Sequence, residues 1–175
     1  MRSIYKIVVC SLLTLSITSC EKDLLEKEQY QKEIYLIGAY NRVWTTEVSY
    51  SNEEVKTYFT VSSSGTLALD RDVNVKMKIN EELVDIYNKK YWTVLNEDKY
   101  YKSLDTDLYS IPSLENTVIK HAEGISAEVP VLIKTASLKI DQSYVIPVEI
   151  ESTTGYPISE SGYKMLILLK LKNDY

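Results

Sequence analysis

An antiparallel β-sandwich is the fold class that this sequence predicts, and three observations predict it. Apolar and polar residues alternate with period two in several short stretches, most clearly where Val73, Val75, Met77 and Ile79 interleave with Asn74, Lys76, Lys78 and Asn80. All five glycines fall between such stretches and none inside one. No stretch sustains the 3.6-residue apolar period long enough to build a helical layer.

Residues 1–19 stand apart from this pattern and read as a signal peptide. Arg2 and Lys6 precede an apolar run over residues 7–17, too short for the about 20 residues of a spanning helix. The run closes on Thr18, Ser19 and Cys20, small residues leading into a thiol, which is the pattern of a bacterial lipobox. Such a cysteine carries a diacylglyceryl group on its sulfur, and its amine is acylated once the peptide before it is cut. Two or more acyl chains anchor a protein stably where one does not. Cys20 is therefore the expected lipidation site, the membrane the expected partner and the outer membrane the expected location. Residues 20–32 (CEKDLLEKEQYQK) are rich in charge and without alternation, a tether of at most about 40 Å. Residues 33–175 form the expected single sandwich domain.

Composition narrows the chemistry. Cys10 leaves with the signal and lipidation uses Cys20, so no disulfide, zinc site or thiol nucleophile is expected in the folded part. The net charge of −5 becomes more negative once Arg2 and Lys6 are removed, and no Lys/Arg stripe is present, which argues against nucleic acid as a partner. Fifteen tyrosines stand against one phenylalanine, and an apolar ring with a polar tip suits half-exposed sheet faces and ligand stacking.

In chain order, Ile34-Tyr35-Leu36-Ile37 makes a strand that ends at Gly38, and residues 43–48 make a weaker one. Val55, Thr57, Phe59 and Val61 alternate with polar neighbours up to a turn at Ser62-Ser63-Ser64-Gly65. After the Val73 strand, Asn80 is placed to cap a helix of about two turns, with Glu81 and Glu82 in its first turn and a stripe of Leu83, Ile86 and Tyr87 ending at Asn88. This helix reads as a connection and not as a layer. Residues 89–113 mix aromatics with turn formers and carry no clear period. Strands resume at Thr117-Val118-Ile119, then over residues 125–133, where Pro130 marks an edge or bulge, and over 144–150. Residues 163–172 close the fold, apolar on both faces from Met165 to Leu169, as a central strand would be.

The order of these features resembles a Bacteroidetes family of immunoglobulin-like domains. An alternating strand runs into a short helix ending in Tyr87-Asn88, and a Leu95-centred turn with tyrosines follows. A strand led by Gly124, the Tyr144-Val145-Ile146-Pro147-Val148 strand and an aliphatic closing strand complete the set. The resemblance covers residues 34–172. Members stand at the N-termini of surface lipoproteins, often before discoidin-like, lectin-like or family-18 glycosidase-like modules. It implies an all-β, immunoglobulin-like sandwich with one short connecting helix, in a glycan-utilisation context. Leu95-Asn96 departs from the family's usual Leu-Pro. The chain ends at Tyr175, so no downstream module is expected and no catalytic residue carries over. Glu21-Lys22-Asp23 resembles surface-export signals of Bacteroidetes lipoproteins, which favours the cell surface over a periplasm-facing position.

Candidate chemistry is sparse. His121 is the single histidine and reads as solvent-facing. Asp70/Asp72 and Asp105/Asp107 could offer oxygens to Ca²⁺ but read as acidic turns, so neither a metal nor any cofactor is expected. No phosphate loop, nucleophile elbow or zinc-protease motif is present, and a non-catalytic protein is expected. Tyr87, Tyr91, Trp92, Tyr100, Tyr101 and Tyr109 form the one notable cluster, able to stack on sugar faces or to plug one end of the sandwich. Trp92 and Tyr101, then Tyr91 and Tyr100, are the candidate ligand-binding residues. Two functions follow as expectations: an accessory to glycan capture or utilisation, by weak glycan binding or by assembly with neighbouring envelope proteins, or a purely structural spacer or adhesin-like interaction module with no small-molecule ligand.

Overall fold

The computed structural model describes residues 27–92 and 94–172; the signal segment, Cys20 and the first part of the expected tether lie outside the described residues. Among the described residues ten strands form two sheets. One sheet has the order β1 (Ile34–Leu36), β3 (Glu54–Ser63), β8 (Ser126–Lys134), β6 (Tyr109–Ser110). The other runs β2 (Val43–Ser49), β10 (Lys164–Lys172), β9 (Tyr144–Thr153), β4 (Val73–Ile79), β7 (Thr117–Ile119), with β5 (Lys102–Ser103) also along β9. The first two strands are divided between the sheets, β1 beside β3 and β2 parallel to β10. Two packed, mostly antiparallel sheets with this distribution make an immunoglobulin-like sandwich.

The alternation in β4 places Val73, Val75 and Met77 in the core and Asn74, Lys76 and Lys78 outside. On that outer face Lys76 meets Glu151 at 2.7 Å and Lys78 meets Glu149 at 3.6 Å, solvent-screened pairs that add little to stability. Facing them across the core, Phe59, Val61, Val129, Val131 and Ile133 are fully buried, and the single phenylalanine sits at the centre. β3 runs two residues into the expected turn, to Ser63. Ser62 and Ser63 are buried because β1 and the chain at Ile125 still pair with them.

The helix is longer than expected. α1 spans Glu82–Tyr91, and Asn80 starts it by accepting the Glu82 N–H on its side-chain oxygen at 3.2 Å. It buries Leu83, Val84 and Asn88, whereas Ile86, assigned to the buried stripe from its spacing, is exposed. Nor is α1 only a connection. Leu83 and Val84 pack on Val145 and Leu166, on the outer face of the second sheet, as a small second core. This explains why β10 is apolar on both faces: Met165, Ile167 and Leu169 point into the sandwich, while Leu166 and Leu168 join the cluster under α1.

Both strand prolines fall where a donor is not needed. Pro130 faces Tyr58 in β3, while β6 covers the other flank of β8 only at Leu132 and Ile133. Pro147 lies in an interior strand, between Val148, opposite the last residue of β4 (Ile79), and Val145, opposite the last residue of β5 (Ser103). Residues assigned to the tether touch the domain. The Glu28 carboxylate accepts the N–H of Thr66 at 2.6 Å and that of Leu67 at 3.3 Å, and it pairs with Lys32.

Candidate functional site

The expected aromatic cluster divides into separate parts. Tyr87, Tyr91 and Tyr101 come together at the C-terminal half of α1: Tyr87 and Tyr101 stack with centroids 5.2 Å apart and planes at 11°, and Tyr91 tilts onto Tyr87 at 4.4 Å. Asn88 fixes this arrangement. Its side chain accepts the Tyr101 N–H at 3.0 Å and donates to the Tyr101 carbonyl at 2.9 Å, so a buried amide substitutes for a neighbouring strand. Burial raises the pKa of the Tyr87 phenol, and Tyr101 adds to the shift. Trp92 follows α1 with its indole N–H buried and unpartnered among the described residues, and the Lys99 ammonium lies 5.7 Å from its ring. Tyr100 is half-buried in the next turn. Tyr109 belongs to β6, in the opposite sheet, and packs on the main core.

Beside the tyrosine stack lies a groove of about 260 Å³, lined among others by Tyr40, Arg42, Ile86, Tyr87, Glu160 and Lys164. A second hollow of about 200 Å³ adjoins it, and Tyr40 and Ser161 line both. Tyr40 is the wall between them, a residue 87% exposed. Local chain geometry explains the display. Gly38 has φ 89°, and a Cβ there would lie 2.6 Å from the Trp44 ring. A single 3₁₀ turn over Ala39–Asn41 then ends at Arg42, whose φ of 64° is the only positive value at a non-glycine among the described residues. That backbone costs about 1–2 kcal/mol in an L-residue. It is held by Arg42 N–H donating to the Ala39 carbonyl and by the Arg42 carbonyl accepting from Leu166 N–H, both at 2.8 Å.

The acidic pairs are engaged with their own surroundings. Arg71, and then the Tyr156 hydroxyl, hold Asp70 well below the usual carboxylate range. Asp72 is lowered by His121, whose ring Nδ1 lies 2.6 Å from its carboxylate and whose backbone N–H binds the same oxygen at 3.0 Å. Asp105 accepts the Asp107 N–H at 3.3 Å and caps a 3₁₀ turn. Among the described residues no three His, Cys, Asp or Glu side chains gather as metal ligands, and no helix is long and apolar enough to cross a membrane.

Tyr40, Arg42, Glu160, Ser161 and Lys164 escaped the sequence reading. The one signal for them was an aromatic and a cation flanking Asn41 just after Gly38, in a segment too short to carry a period.

Comparison with known proteins places this geometry. No curated protein matches the sequence significantly. Solved structures do match in fold. A Bacteroides ovatus protein of unknown function superposes with a TM-score of 0.69 at 17% identity, over 83% of this chain and 48% of its own. An auxiliary nutrient binding protein from Bacteroides thetaiotaomicron gives 0.62 at 15% identity, over 79% and 46%. A candidate carbohydrate binding protein from Bacteroides ovatus gives 0.60 at 18% identity, over 79% and 36%. The chain thus spans less than half the length of each. A family model describing an N-terminal domain matches residues 30–157, most of the chain. The chain belongs to this family of N-terminal domains, whose immunoglobulin-like sandwich recurs in longer Bacteroides proteins.

Proposed function

We propose that this is a non-catalytic, lipid-anchored surface protein that assists glycan capture by seating a sugar in the groove beside α1. The observation that carries the reading is Tyr40, an exposed ring at the edge of a groove that also offers Tyr87 and the polar Arg42, Glu160 and Ser161. A sugar ring presents an apolar face and a polar rim, and aromatic faces beside hydrogen-bonding groups match both. Tyr91, exposed beside Tyr87, extends the platform, while Tyr101 supports it from below. The carbohydrate- and nutrient-binding descriptions of two proteins with this fold support the same direction. Cys20 is the proposed anchor, at the outer membrane and facing outward.

Affinity electrophoresis through gels cast with a broad polysaccharide panel tests the binding. Retardation by at least one glycan, lost in Tyr40→Ala without change in the melting temperature, is the expected result. No retardation by any glycan would sink the reading. Labelled palmitate incorporated at Cys20 and lost in Cys20→Ala tests the anchor. A second reading, a spacer that positions a neighbouring envelope protein, draws on a different observation. Ile34 pairs at the Ser63 end of β3, whereas Lys172 lies with Ser49 at the Glu54 end, so the described chain enters and leaves at opposite ends of the sandwich.

A further inference from the structure

We propose that the groove selects acidic sugars, with Arg42 reading the carboxylate of a uronic acid; this rests on the glycan-binding reading above. The chain carries a net charge of −5, and among the described residues lysine or arginine repeatedly pairs with a neighbouring acid: Arg71 with Asp70, Lys76 with Glu151, Lys78 with Glu149, Lys120 with Glu123 and Lys172 with Glu47. The two cations that line the groove break this habit. Arg42 is exposed and has no carboxylate within ion-pair distance among the described residues. Lys164 lies against the Tyr163 ring at 4.8 Å, and the carboxylate of its cross-strand neighbour Glu149 is engaged by Lys78 and Asn80 instead. Glu160 lines the same groove and pairs with neither. An acidic protein therefore leaves a local excess of positive charge on a concave surface, beside two aromatic rings.

The backbone at Arg42 gives an independent reason. A left-handed position that ends a tight turn suits glycine or asparagine, and an arginine there keeps a strained conformation that its side chain does nothing to relieve. Both its backbone groups are tied down, so the guanidinium projects from a fixed stem. A planar fork with parallel donors matches a carboxylate in two bonds, which a lysine ammonium cannot do. With the carboxylate on Arg42, the sugar ring falls within the groove, where Tyr40 and Tyr87 can stack and Ser161 and Glu160 can take hydroxyls. Lys164 adds charge without fixing orientation.

The test compares the purified protein on polygalacturonate and on the same polymer fully methyl-esterified, which keeps the backbone and removes the charge. Neutral polysaccharides and dextran sulfate complete the set. The expected result is binding to polygalacturonate that weakens about tenfold or more on esterification and in Arg42→Gly, while Lys139→Ala, the loss of an exposed charge outside the groove, leaves it unchanged. Arg42→Gly should be at least as heat-stable as the parent, because glycine relieves the left-handed turn, so lost binding cannot be ascribed to unfolding. Glu160→Gln should bind polygalacturonate more tightly. Binding to neutral or esterified glycans that Arg42→Gly does not alter overturns the acidic-sugar proposal and leaves the glycan reading standing. Equal binding to dextran sulfate, reduced alike by Lys139→Ala, overturns it as bulk electrostatics. No binding to any member of the set overturns both.

Discussion

Asn88 is one residue with two jobs, closing the last turn of a helix and replacing a strand. Its carbonyl takes the Trp92 N–H at 2.8 Å, while its side chain satisfies both backbone groups of Tyr101. Asn88→Ala leaves the part-buried N–H and carbonyl of Tyr101 without their partner and should cost about 1–3 kcal/mol, read as a lowered urea midpoint. Tyr109 presents the opposite case, a buried hydroxyl without a partner among the described residues. Burial pushes its ionisation up to about 12. The folded state then holds the phenol proton more tightly than the unfolded chain. Stability is complete below the ordinary tyrosine value near 10 and is lost as pH rises from there towards 12. Tyr109→Phe should keep or slightly raise stability at pH 8 and flatten its fall between pH 10 and 12, measured by denaturant midpoints at each pH. The helix is legible in the sequence, but it ends at Tyr91, three residues past the Asn88 expected from the apolar stripe. The lock of Asn88 on Tyr101 is not legible, because the partner is a backbone that no residue type marks.

At the scale of elements, α1 shows how spacing alone can select the wrong face. Leu83, Ile86 and Tyr87 stand at i, i+3 and i+4, as a buried stripe requires. The helix instead rests on Val145 and Leu166 through Leu83 and Val84, which leaves Ile86 at the mouth of the groove. Leu83→Ala should therefore cost about 2–3 kcal/mol in thermal or urea denaturation, and Ile86→Ala should stay within about 0.5 kcal/mol of the parent. A substantial loss in Ile86→Ala, or none in Leu83→Ala, would overturn this assignment. The long strands were legible because one or both faces are buried over many residues, and in β10 even the doubly apolar pattern was readable. The 3₁₀ turns and two-residue strands between residues 94 and 110 were not, since they are held by distant partners such as Val145 and Ile133. The groove was hidden for the same reason. Its walls come from residues 39–42, 83–87 and 160–166, which only the sandwich brings together.

For the whole molecule, the segment ahead of β1 matters as much as the sandwich. Glu28 accepts hydrogen bonds from Thr66 and Leu67, and Ser64 donates to the Gln31 carbonyl at 3.2 Å, so residues 28–33 lie along the domain. On the proposed anchoring at Cys20, residues 21–27 would span the gap to the lipid, about 25 Å when extended. Glu28→Ala should release this strap. Limited proteolysis within residues 27–33 should quicken several-fold while the melting temperature shifts by less than about 2 °C. A cleavage rate equal to the parent's would show that Glu28 does not hold the strap. The parallel pairing of β2 with β10 has a mechanical consequence. A pull that drags Ile34 one way and Lys172 the other slides these two strands lengthwise past each other. The seven-residue register from Leu166–Val43 to Lys172–Ser49 is then loaded in shear. Bonds in that geometry share the load and fail together, whereas a peeled hairpin yields them one at a time. A domain tethered at one end and tugged at the other by a polymer in flow would resist as a clasp and not as a zipper.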